Sequence, residues 1–465
     1  MCRNPPCQAR VRERARLEAA LSVASALLAM ALSSRAEAQA KDAPALPAQR
    51  ASVSSLAQLA DDVAKLLPAL PGGTLVAVAP VRSDVALARG DELAARLAQV
   101  VAGRVGGRAH GQPVALSVAR GLADRAPGLV YVQPEVARGE LRLVVDLYPV
   151  VTNAWERLRN PLPGPRAHGF AGAPIDAEIR TFLPPIALEQ AKLARAKHGE
   201  GDVLAAACGD IDGDGGQEIV LVSRGRVASG RLRGGVFVVE KSSPWAELVP
   251  RAPAPLREPL ATAWIVPRGI HGSLLVGLSD RGGASLGGDL QVRHLLSGLP
   301  ISPVGGGLCA SPSAEHGALE GLLRCTTVPG SREPFASLAP RFDGLAELEY
   351  VDARGAPHSA TVVREPSGKL RVRIDGAEST LPEAAGAQLA LGDLDLDGVP
   401  ELIASGEGAD DRLSISSLAS PAGASKPRLR FDAKEGVRAL AVCPPEERGV
   451  PALVAVVGSE VWLVR

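Results

Sequence analysis

Two short acidic segments have residue types and spacing suited to binding a hard cation. They lie at residues 210–218 and 393–401, and both follow the pattern D-x-D-x-D-G-x-x-E. Alternate carboxylates on a tight turn place anionic oxygens on one side of the backbone, and the glycine permits a sharp reversal. Because three carboxylates within five residues repel one another, the pattern predicts a bound cation, with Ca²⁺ favoured by all-oxygen chemistry. The alternative is a solvated Asp-rich turn without an ion. We call the segments the first and second acidic loops.

Neither acidic loop is an EF-hand. That motif requires a glutamate at its twelfth position, where this chain has Leu221 and Ala404. Apolar segments of strand length flank both loops, at residues 204–208, 219–222, 388–391 and 402–404. Each loop is therefore predicted to join two β-strands.

The region from residue 201 to residue 465 has the pattern of an all-β repeat protein, with short apolar runs separated by Gly, Pro and Asp turns. The distance between the two loops corresponds to about four units of roughly 40–45 residues, the length of a propeller blade. Gly449-Val450-Pro451 repeats Gly398-Val399-Pro400 without the ligands, since Pro444, Glu446, Arg448 and Ala452 stand at the carboxylate positions. Arg448 is a candidate to occupy the position of a cation, and a plain solvated arginine is the alternative.

Unit starts near residues 203, 260, 305, 346, 387 and 437 predict six blades. Seven blades are the alternative if residues before Gly201 or the region around Phe431 contribute strands. The last apolar run, Glu460–Val464, is predicted to complete a blade that begins elsewhere in the chain, because a closed propeller leaves few exposed sheet edges.

The acidic loops, lying between strands and repeated at blade spacing, resemble FG-GAP or VCBS repeats, the units of integrin α-subunit propellers and of many secreted bacterial proteins. This resemblance implies calcium ligation by the first, third, fifth and ninth side chains and the seventh backbone carbonyl. The implied ligands are Asp210, Asp212, Asp214, the carbonyl of Gly216 and Glu218, then Asp393, Asp395, Asp397, the carbonyl of Val399 and Glu401. The chain departs from the family in lacking ligands in its other units and the Phe-Gly and Gly-Ala-Pro consensus.

Residues 1–40 have the pattern of a signal peptide. Five arginines precede an apolar stretch at residues 17–32, and Ala36-Glu37-Ala38 fits a small-x-small cleavage site. The pattern predicts export by a bacterium to the periplasm, cell surface or exterior, with no stable transmembrane segment after cleavage. An uncleaved anchor is the alternative. Cys2 and Cys7 precede the apolar stretch, which argues against a lipoprotein.

Residues 52–150 alternate between helical and strand periodicity and predict a small α/β layer domain. Apolar positions predict helices around residues 56–67 and 93–101, a strand at 74–79, and a hairpin of 129–133 with 141–147 closed by Arg138-Gly139-Glu140. This order of elements resembles the envelope domains of the TolB amino-terminal and curli-secretion type. Residues 151–200 are rich in Pro and Gly and are predicted to be a linker. The predicted fold is thus multidomain, a small α/β layer domain followed by an all-β propeller.

Four cysteines follow the predicted signal peptide. Cys309 and Cys325 flank a turn and are candidates for bridging a hairpin, with two buried reduced cysteines as the alternative. Cys208 and Cys443 occupy matching points in the first and last units, so propeller closure would make them neighbours and permit a disulfide.

The sequence carries few features of an enzyme or of a nucleic-acid-binding protein. The 51 basic and 51 acidic residues balance, and aromatic residues are only 3%, too few for base-stacking platforms. Gly283-Ala-Ser-Leu-Gly287 matches G-x-S-x-G, but it is predicted to be a flexible glycine-rich loop and lacks the strand-turn-helix context of a nucleophile elbow. The seven histidines show no zinc spacing.

These observations predict an exported, non-enzymatic, calcium-binding propeller that serves as an interaction module in the bacterial envelope. Its partner would be an envelope or extracellular protein, or a glycan. One alternative is a secreted hydrolase or lyase with its active site at the propeller channel. The other is an envelope assembly or export factor that acts through the α/β domain.

Overall fold

The fold is described from a computed structural model. It covers residues 53–151, 153–160, 162–250, 259–266, 274–296, 298–302, 308–311, 314–315, 317–320, 324–326, 339–406, 411–419, 427–445 and 449–465. The predicted signal peptide and Arg448 therefore lie outside the described residues. For some positions, Cys309 and Cys325 among them, only the backbone is described, so the predicted disulfide between these two cysteines stays a prediction.

Residues 53–183 form an α/β layer, which we call the amino-terminal region. Its helices are α1 (Ser55–Leu66), α2 (Gly90–Val105), α3 (Leu116–Leu122), α4 (Ala154–Arg159) and α5 (Ala177–Arg180). Its strands are β1 (Leu75–Val78), β2 (Arg82–Ser83), β3 (Arg108–Ala109), β4 (Gly128–Ala137), β5 (Glu140–Pro149) and β6 (Ala167–Pro174). They form one sheet in the order β3-β1-β4-β5-β6, with β2 paired to β4.

The sequence explains the local structure of this region. Ser54 caps α1 by accepting a hydrogen bond from the backbone N–H of Ala57, at 3.2 Å. The predicted hairpin of β4 and β5 is present, and Arg138 and Gly139 both adopt positive φ in its two-residue turn. The apolar faces of α1 and α2 pack on one side of the sheet, and α3 covers part of the other side.

The rest of the described chain is almost entirely β-sheet. The strands that follow are β7 (Leu193–Lys197), β8 (Val203–Gly209), β9 (Glu218–Ser223), β10 (Arg226–Arg233), β11 (Val236–Pro244), β12 (Ala261–Ile265), β13 (Leu274–Leu278), β14 (Gly282–Leu286), β15 (Val292–Leu296), β16 (Leu299–Ser302), β17 (Leu308–Ser311), β18 (Ala314–Glu315), β19 (Ala318–Glu320), β20 (Arg324–Thr326), β21 (Arg341–Phe342), β22 (Gly344–Val351), β23 (Pro357–Arg364), β24 (Leu370–Ile374), β25 (Ala377–Thr380), β26 (Leu389–Gly392), β27 (Glu401–Ser405), β28 (Arg412–Ser417), β29 (Leu429–Asp432), β30 (Val437–Cys443), β31 (Ala452–Val457) and β32 (Glu460–Val464). A 3-10 helix (Leu188–Gln190) precedes β7, and α6 (Trp245–Leu248) follows β11.

These strands form successive antiparallel meanders that pack face to face. Strands β12–β15, β22–β25 and β26–β29 form four-stranded sheets, and β16-β17-β20 and β18-β19-β21 form three-stranded sheets. Strands β8–β11 and β30–β32 are the two ends of one eight-stranded sheet, in the order β30-β31-β32-β7-β11-β10-β9-β8, in which β7 pairs with β11 at Val236↔Lys197. The first strands lie side by side, because β8 contacts both β12 and β30, and β26 contacts both β22 and β30. Apolar clusters fill the space between neighbouring sheets. This arrangement is a β-propeller.

Strand β7 closes the propeller. It pairs antiparallel with β32 from Val464↔Leu193 to Glu460↔Lys197, and so supplies the fourth strand of the last sheet. The prediction that β32 would complete a distant sheet was wrong, because β32 pairs with β31 of its own sheet and the strand from elsewhere is β7. Such a closing strand removes an exposed sheet edge.

Two other segments differ from their predicted structure. Residues 151–200, expected as a linker, contain β6 in the first sheet and β7 in the last. Small residues make this possible in β6, where Gly169, Ala171 and Ala173 face inward beside α1.

Residues 282–286, expected as a flexible loop, form β14. Its glycines suit close packing, since a Cβ at Gly283 would lie 2.7 Å from the carbonyl oxygen of Gly298.

A disulfide joins Cys208 of β8 to Cys443 of β30, with 4.8 Å between the two Cα atoms. The two strands are the first strands of the first and last propeller sheets. The pairing inferred from the matching positions of these cysteines is therefore present in the structure. The propeller is closed twice, by backbone pairing at β7 and covalently at Cys208.

Candidate functional site

Both acidic loops lie where the sequence placed them, between the first and second strands of a sheet. The first acidic loop joins β8 to β9, and the second joins β26 to β27. In each loop, carboxylate oxygens of the first, third and ninth residues converge, with one oxygen from each residue within 4.8 Å of the others. The converging residues are Asp210, Asp212 and Glu218 in the first loop and Asp393, Asp395 and Glu401 in the second.

The backbone of each loop folds around its first aspartate. Asp210 accepts hydrogen bonds from the N–H groups of Gly213 and Gly215, at 2.6 and 3.0 Å. Asp393 accepts from Asp397 and Gly398, at 3.0 and 2.9 Å. The ninth residue closes the loop, because Glu218 and Glu401 accept hydrogen bonds from the N–H groups of Ile211 and Leu394. The shared spacing thus produces two similar turns, which differ in one hydrogen bond of the first aspartate.

Among the described residues, the carboxylate clusters do not include the fifth and seventh positions of the loops. Asp214 pairs with Arg231 at 2.8 Å and accepts a hydrogen bond from the N–H of Gly216, and Asp397 accepts one from the N–H of Val399. The predicted ligand roles of these four residues stay predictions. A bound cation would have to draw Asp214 away from Arg231.

Basic side chains offset much of the charge of the first acidic loop. Arg231 Nε donates to Glu218 Oε1 at 2.8 Å, and Lys241 Nζ contacts Asp212 Oδ2 at 2.9 Å. The hydrogen bond with Arg231 lowers the pKa of Asp214, whereas burial raises the pKa of Glu218. Asp210, Asp212 and Asp214 are exposed, so water screens the charge that is left.

The second acidic loop is more buried and less neutralised. Four carboxylates are opposed by Arg428 alone among the described residues, through Asp395 Oδ2 at 2.7 Å and Glu401 Oε1 at 3.1 Å. Asp395 and Glu401 are 5% and 0% exposed. Burial, followed by repulsion from neighbouring carboxylates, raises the pKa of Asp393 to about 7 and that of Glu401 to about 8. Removing such carboxylates from water is costly unless a cation compensates.

One oxygen of the second loop lacks a partner. Asp395 Oδ1 is buried and has no hydrogen-bond partner within the part of the chain that the structure describes. Buried polar atoms are nearly always satisfied, so a carboxylate oxygen without a partner inside a carboxylate cluster is suited to be a ligand of a hard cation. The residues of the second loop therefore suit Ca²⁺ better than those of the first.

Leu396 lies at the centre of the second acidic loop, at a position where the first loop has Gly213. Its φ is 56° and that of Gly213 is 82°. Left-handed backbone costs a non-glycine residue about 1–2 kcal/mol. Leu396 is 8% exposed and belongs to the apolar cluster of α1, α2 and the first sheet. Burial of a leucine gains about 1.5–3 kcal/mol, which offsets this strain.

Sequence reasoning missed Arg231, Lys241 and Arg428 as partners of the loops. Only Arg231 had a local signal, because β9 and β10 form a hairpin whose register extends from Val222↔Val227 to Ile219↔Gly230 and brings Arg231 to Glu218. Arg428 is adjacent to β29, two strands from the loop, and nothing in the sequence between them marks this contact.

Alanine substitution at the sixth loop position is expected to destabilise the two loops unequally. Gly215 and Gly398 have φ of 85° and 83°. A Cβ at Gly398 would lie 2.7 Å from the backbone N of Ala353, whereas no described atom lies within 4 Å of a Cβ at Gly215. We expect Gly215→Ala to cost about 1 kcal/mol through backbone strain, and Gly398→Ala about 3 kcal/mol. Urea unfolding of both variants measures the difference, and equal costs would contradict it.

One histidine between two aspartates, beside the second acidic loop, is expected to make the stability of the fold depend on pH. His358 Nδ1 lies 2.6 Å from Asp375 Oδ2 and Nε2 lies 3.4 Å from Asp352 Oδ2, with Tyr350 stacked on the ring. The contact with Asp375 raises the pKa of His358. Because the folded-state pKa is above the unfolded one, this stabilisation is complete below about pH 6.5 and is lost as pH rises through the folded pKa.

The variant His358→Gln tests this dependence. We expect it to cost about 0.5–1 kcal/mol at pH 5.5 and much less at pH 9, because the ion pairs exist only with a protonated ring. The measurement is the urea midpoint of wild type and variant at both values of pH. A cost that is the same at pH 5.5 and pH 9 would contradict a protonated His358.

Comparisons with known proteins give structural likenesses and no family. No family model matches the chain, and no curated protein matches it. Among solved structures, TolB from Acinetobacter baumannii is 15% identical, covers 79% of this chain and 96% of its own, and has a TM-score of 0.28. The Cps50 (Swd1) β-propeller domain of Myceliophteria thermophila is 10% identical, with coverages of 71% and 95% and a TM-score of 0.33. AofleA from Arthrobotrys oligospora is 11% identical, with coverages of 60% and 89% and a TM-score of 0.32. We base no conclusion on similarities of this size.

Proposed function

We propose that this chain is an exported, calcium-stabilised β-propeller of the FG-GAP or VCBS type that acts as a non-enzymatic interaction module in the bacterial envelope. The observation that carries the calcium assignment is the convergence of Asp393, Asp395 and Glu401 with the unpartnered, buried Oδ1 of Asp395. Calcium would supply the positive charge that Arg428 only partly provides. The first acidic loop binds calcium more weakly, because Arg231 and Lys241 already neutralise part of it.

We assign the propeller six blades, whose first strands are β8, β12, β16, β22, β26 and β30, and we do not count the small sheet β18-β19-β21 as a blade. Five of these strands begin within two residues of the predicted unit starts, and β16 begins at Leu299 instead of near residue 305. The amino-terminal region is the second domain of this architecture. Strand β7 belongs with the propeller in this division, because it pairs with β32.

The disulfide supports export, and the propeller fold supports an interaction role. The Cys208–Cys443 disulfide favours an oxidising compartment, in agreement with the signal-peptide pattern. No helix among the described residues is long and apolar enough to cross a membrane. Propeller faces carry the loops between strands, and such loops are where binding residues concentrate. An envelope protein or a glycan is the partner class that we propose.

Calorimetric titration of the purified protein with calcium tests the metal assignment. We expect a tight site that Asp395→Asn removes, because this change eliminates a buried charge within the cluster, and a weaker site that Asp212→Asn removes. Magnesium is expected to bind more weakly, since it requires a smaller octahedral cage. Absence of calcium binding by the wild-type protein would overturn the assignment.

Cell fractionation and crosslinking test the location and the role. We expect the protein outside the cytoplasm, with an amino terminus that begins after Ala38, and a crosslinked envelope component that is lost when calcium is chelated. An intact amino terminus in the cytoplasm would overturn the export proposal. Hydrolysis of a glycan or peptide by the purified protein would favour the alternative of a channel-mouth enzyme.

A further inference from the structure

Three turns of the propeller lie against the amino-terminal region, and each joins the first and second strands of its sheet. The turn between β22 and β23 brings Gly355 to Glu178, so that a Cβ at Gly355 would lie 2.5 Å from Glu178 Oε2. The turn between β30 and β31 brings Gly449 to Gly139, with 3.0 Å between a Cβ at Gly449 and the Cα of Gly139. The second acidic loop lies between these two turns in chain order.

The contact made by the second acidic loop is the apolar one. Leu396 packs in the cluster that contains Ile175 and Ile179, and it stands directly between the candidate ligands Asp395 and Asp397. The first acidic loop has Gly213 there, with nothing of the described chain within 4 Å of a Cβ. The ligand pattern alone does not call for a leucine at this position, whereas packing against the amino-terminal region does.

We infer that the second acidic loop is a calcium-dependent latch, in which the ion fixes Leu396 within the apolar cluster of the amino-terminal region and so seats that region on the propeller. This inference rests on the proposed calcium function. Without a cation, the closed loop buries the carboxyl groups of Asp395 and Glu401 with too few partners, which favours opening of the loop and withdrawal of Leu396. With calcium, the closed loop holds Leu396 in place. Among the described residues, the first acidic loop places no side chain in that apolar cluster.

Thermodynamic reciprocity gives the latch a measurable signature. If calcium strengthens the seating of the amino-terminal region, then seating strengthens calcium binding by the same factor. The variant Leu396→Gly gives the second loop the residue type that the first loop has at Gly213. It relieves the strain of a left-handed backbone at a non-glycine residue and leaves every carboxylate unchanged. It therefore removes the latch without removing the ligands. We expect calcium affinity at the second loop to fall about 5-fold or more in Leu396→Gly.

Hydrogen exchange on the purified protein, with and without calcium, tests the coupling. We expect calcium to protect backbone amides at residues 393–401 and also at residues 139–149 and 175–183 of the amino-terminal region. In Leu396→Gly the protection is expected to be confined to the loop and its sheet. Leu396→Met, which keeps an apolar side chain, is expected to show the same calcium-induced protection of residues 139–149 and 175–183 as wild type.

A second leucine of the same loop supplies the control. Leu394 packs in the apolar cluster between the last two propeller sheets, so Leu394→Val is expected to keep the calcium-induced protection of residues 139–149 and 175–183. Calcium binding that protects only residues 393–401 and their sheet in wild type would overturn the latch and leave the calcium function intact. No calcium binding in wild type would overturn both proposals.

Discussion

Calcium is expected to raise the melting temperature of this protein, and Asp393→Asn is expected to abolish that response while Asp210→Asn leaves most of it. An ion that binds only the folded loop at 100 times its Kd stabilises the fold by about 2.7 kcal/mol. For a domain of this size class, that corresponds to a rise of about 5–10 °C. The response to calcium comes mainly from the second loop, because its carboxylates are buried and, among the basic side chains that the structure describes, pair only with Arg428.

The two substitutions form a matched pair. Each replaces the first aspartate of a loop by an amide, whose single oxygen keeps one of the two backbone hydrogen bonds and loses the other. In EDTA, Asp393→Asn is expected to melt close to wild type, because removing a carboxylate whose pKa is raised by burial offsets the lost backbone hydrogen bond. The measurement is thermal unfolding in EDTA and in calcium. Equal loss of the calcium response in both variants would show that the loops bind with similar strength.

The sequence predicted the strands around each loop, because the relevant signals are local. A run of apolar residues, a carboxylate turn with a glycine and a second apolar run specify a strand-turn-strand unit without knowledge of the rest of the chain. Alignment of such units also placed Cys208 opposite Cys443, now joined by a disulfide. A repeated pattern therefore predicts a contact between distant residues, because equivalent positions of the first and last units become neighbours when the propeller closes.

Contacts without a repeated pattern could not be predicted in this way. Strand β7 is short, follows a Pro-rich segment and pairs with residues more than 260 positions later in the chain, so its partner is not encoded nearby. The register that brings Arg428 to Asp395 likewise depends on two intervening strands. The sequence around Leu396 did not indicate its packing role. A leucine between two candidate ligands has no evident function in the ligand pattern, and its contact with the amino-terminal region is visible only in the structure.

Loss of the Cys208–Cys443 disulfide is expected to be the other large effect. The bond closes a loop of 235 residues and restricts the unfolded chain. Disulfides stabilise by about 2–4 kcal/mol, more for long loops in the chain-entropy model. We expect Cys208→Ser with Cys443→Ser to lower the free energy of unfolding by about that amount. The fold itself is expected to persist, because β7 still pairs with β32 and closes the last sheet through backbone hydrogen bonds.

Reduction of wild type provides the matched test of this second effect. Dithiothreitol is expected to shift the urea midpoint of the wild-type protein towards that of the double serine variant and to leave the variant itself unchanged. Because Cys208 lies two residues before Asp210, calcium binding at the first acidic loop should weaken with reduction more than binding at the second. An unchanged midpoint on full reduction would mean that backbone pairing at β7 alone holds the propeller closed. It would also mean that the disulfide contributes little to stability.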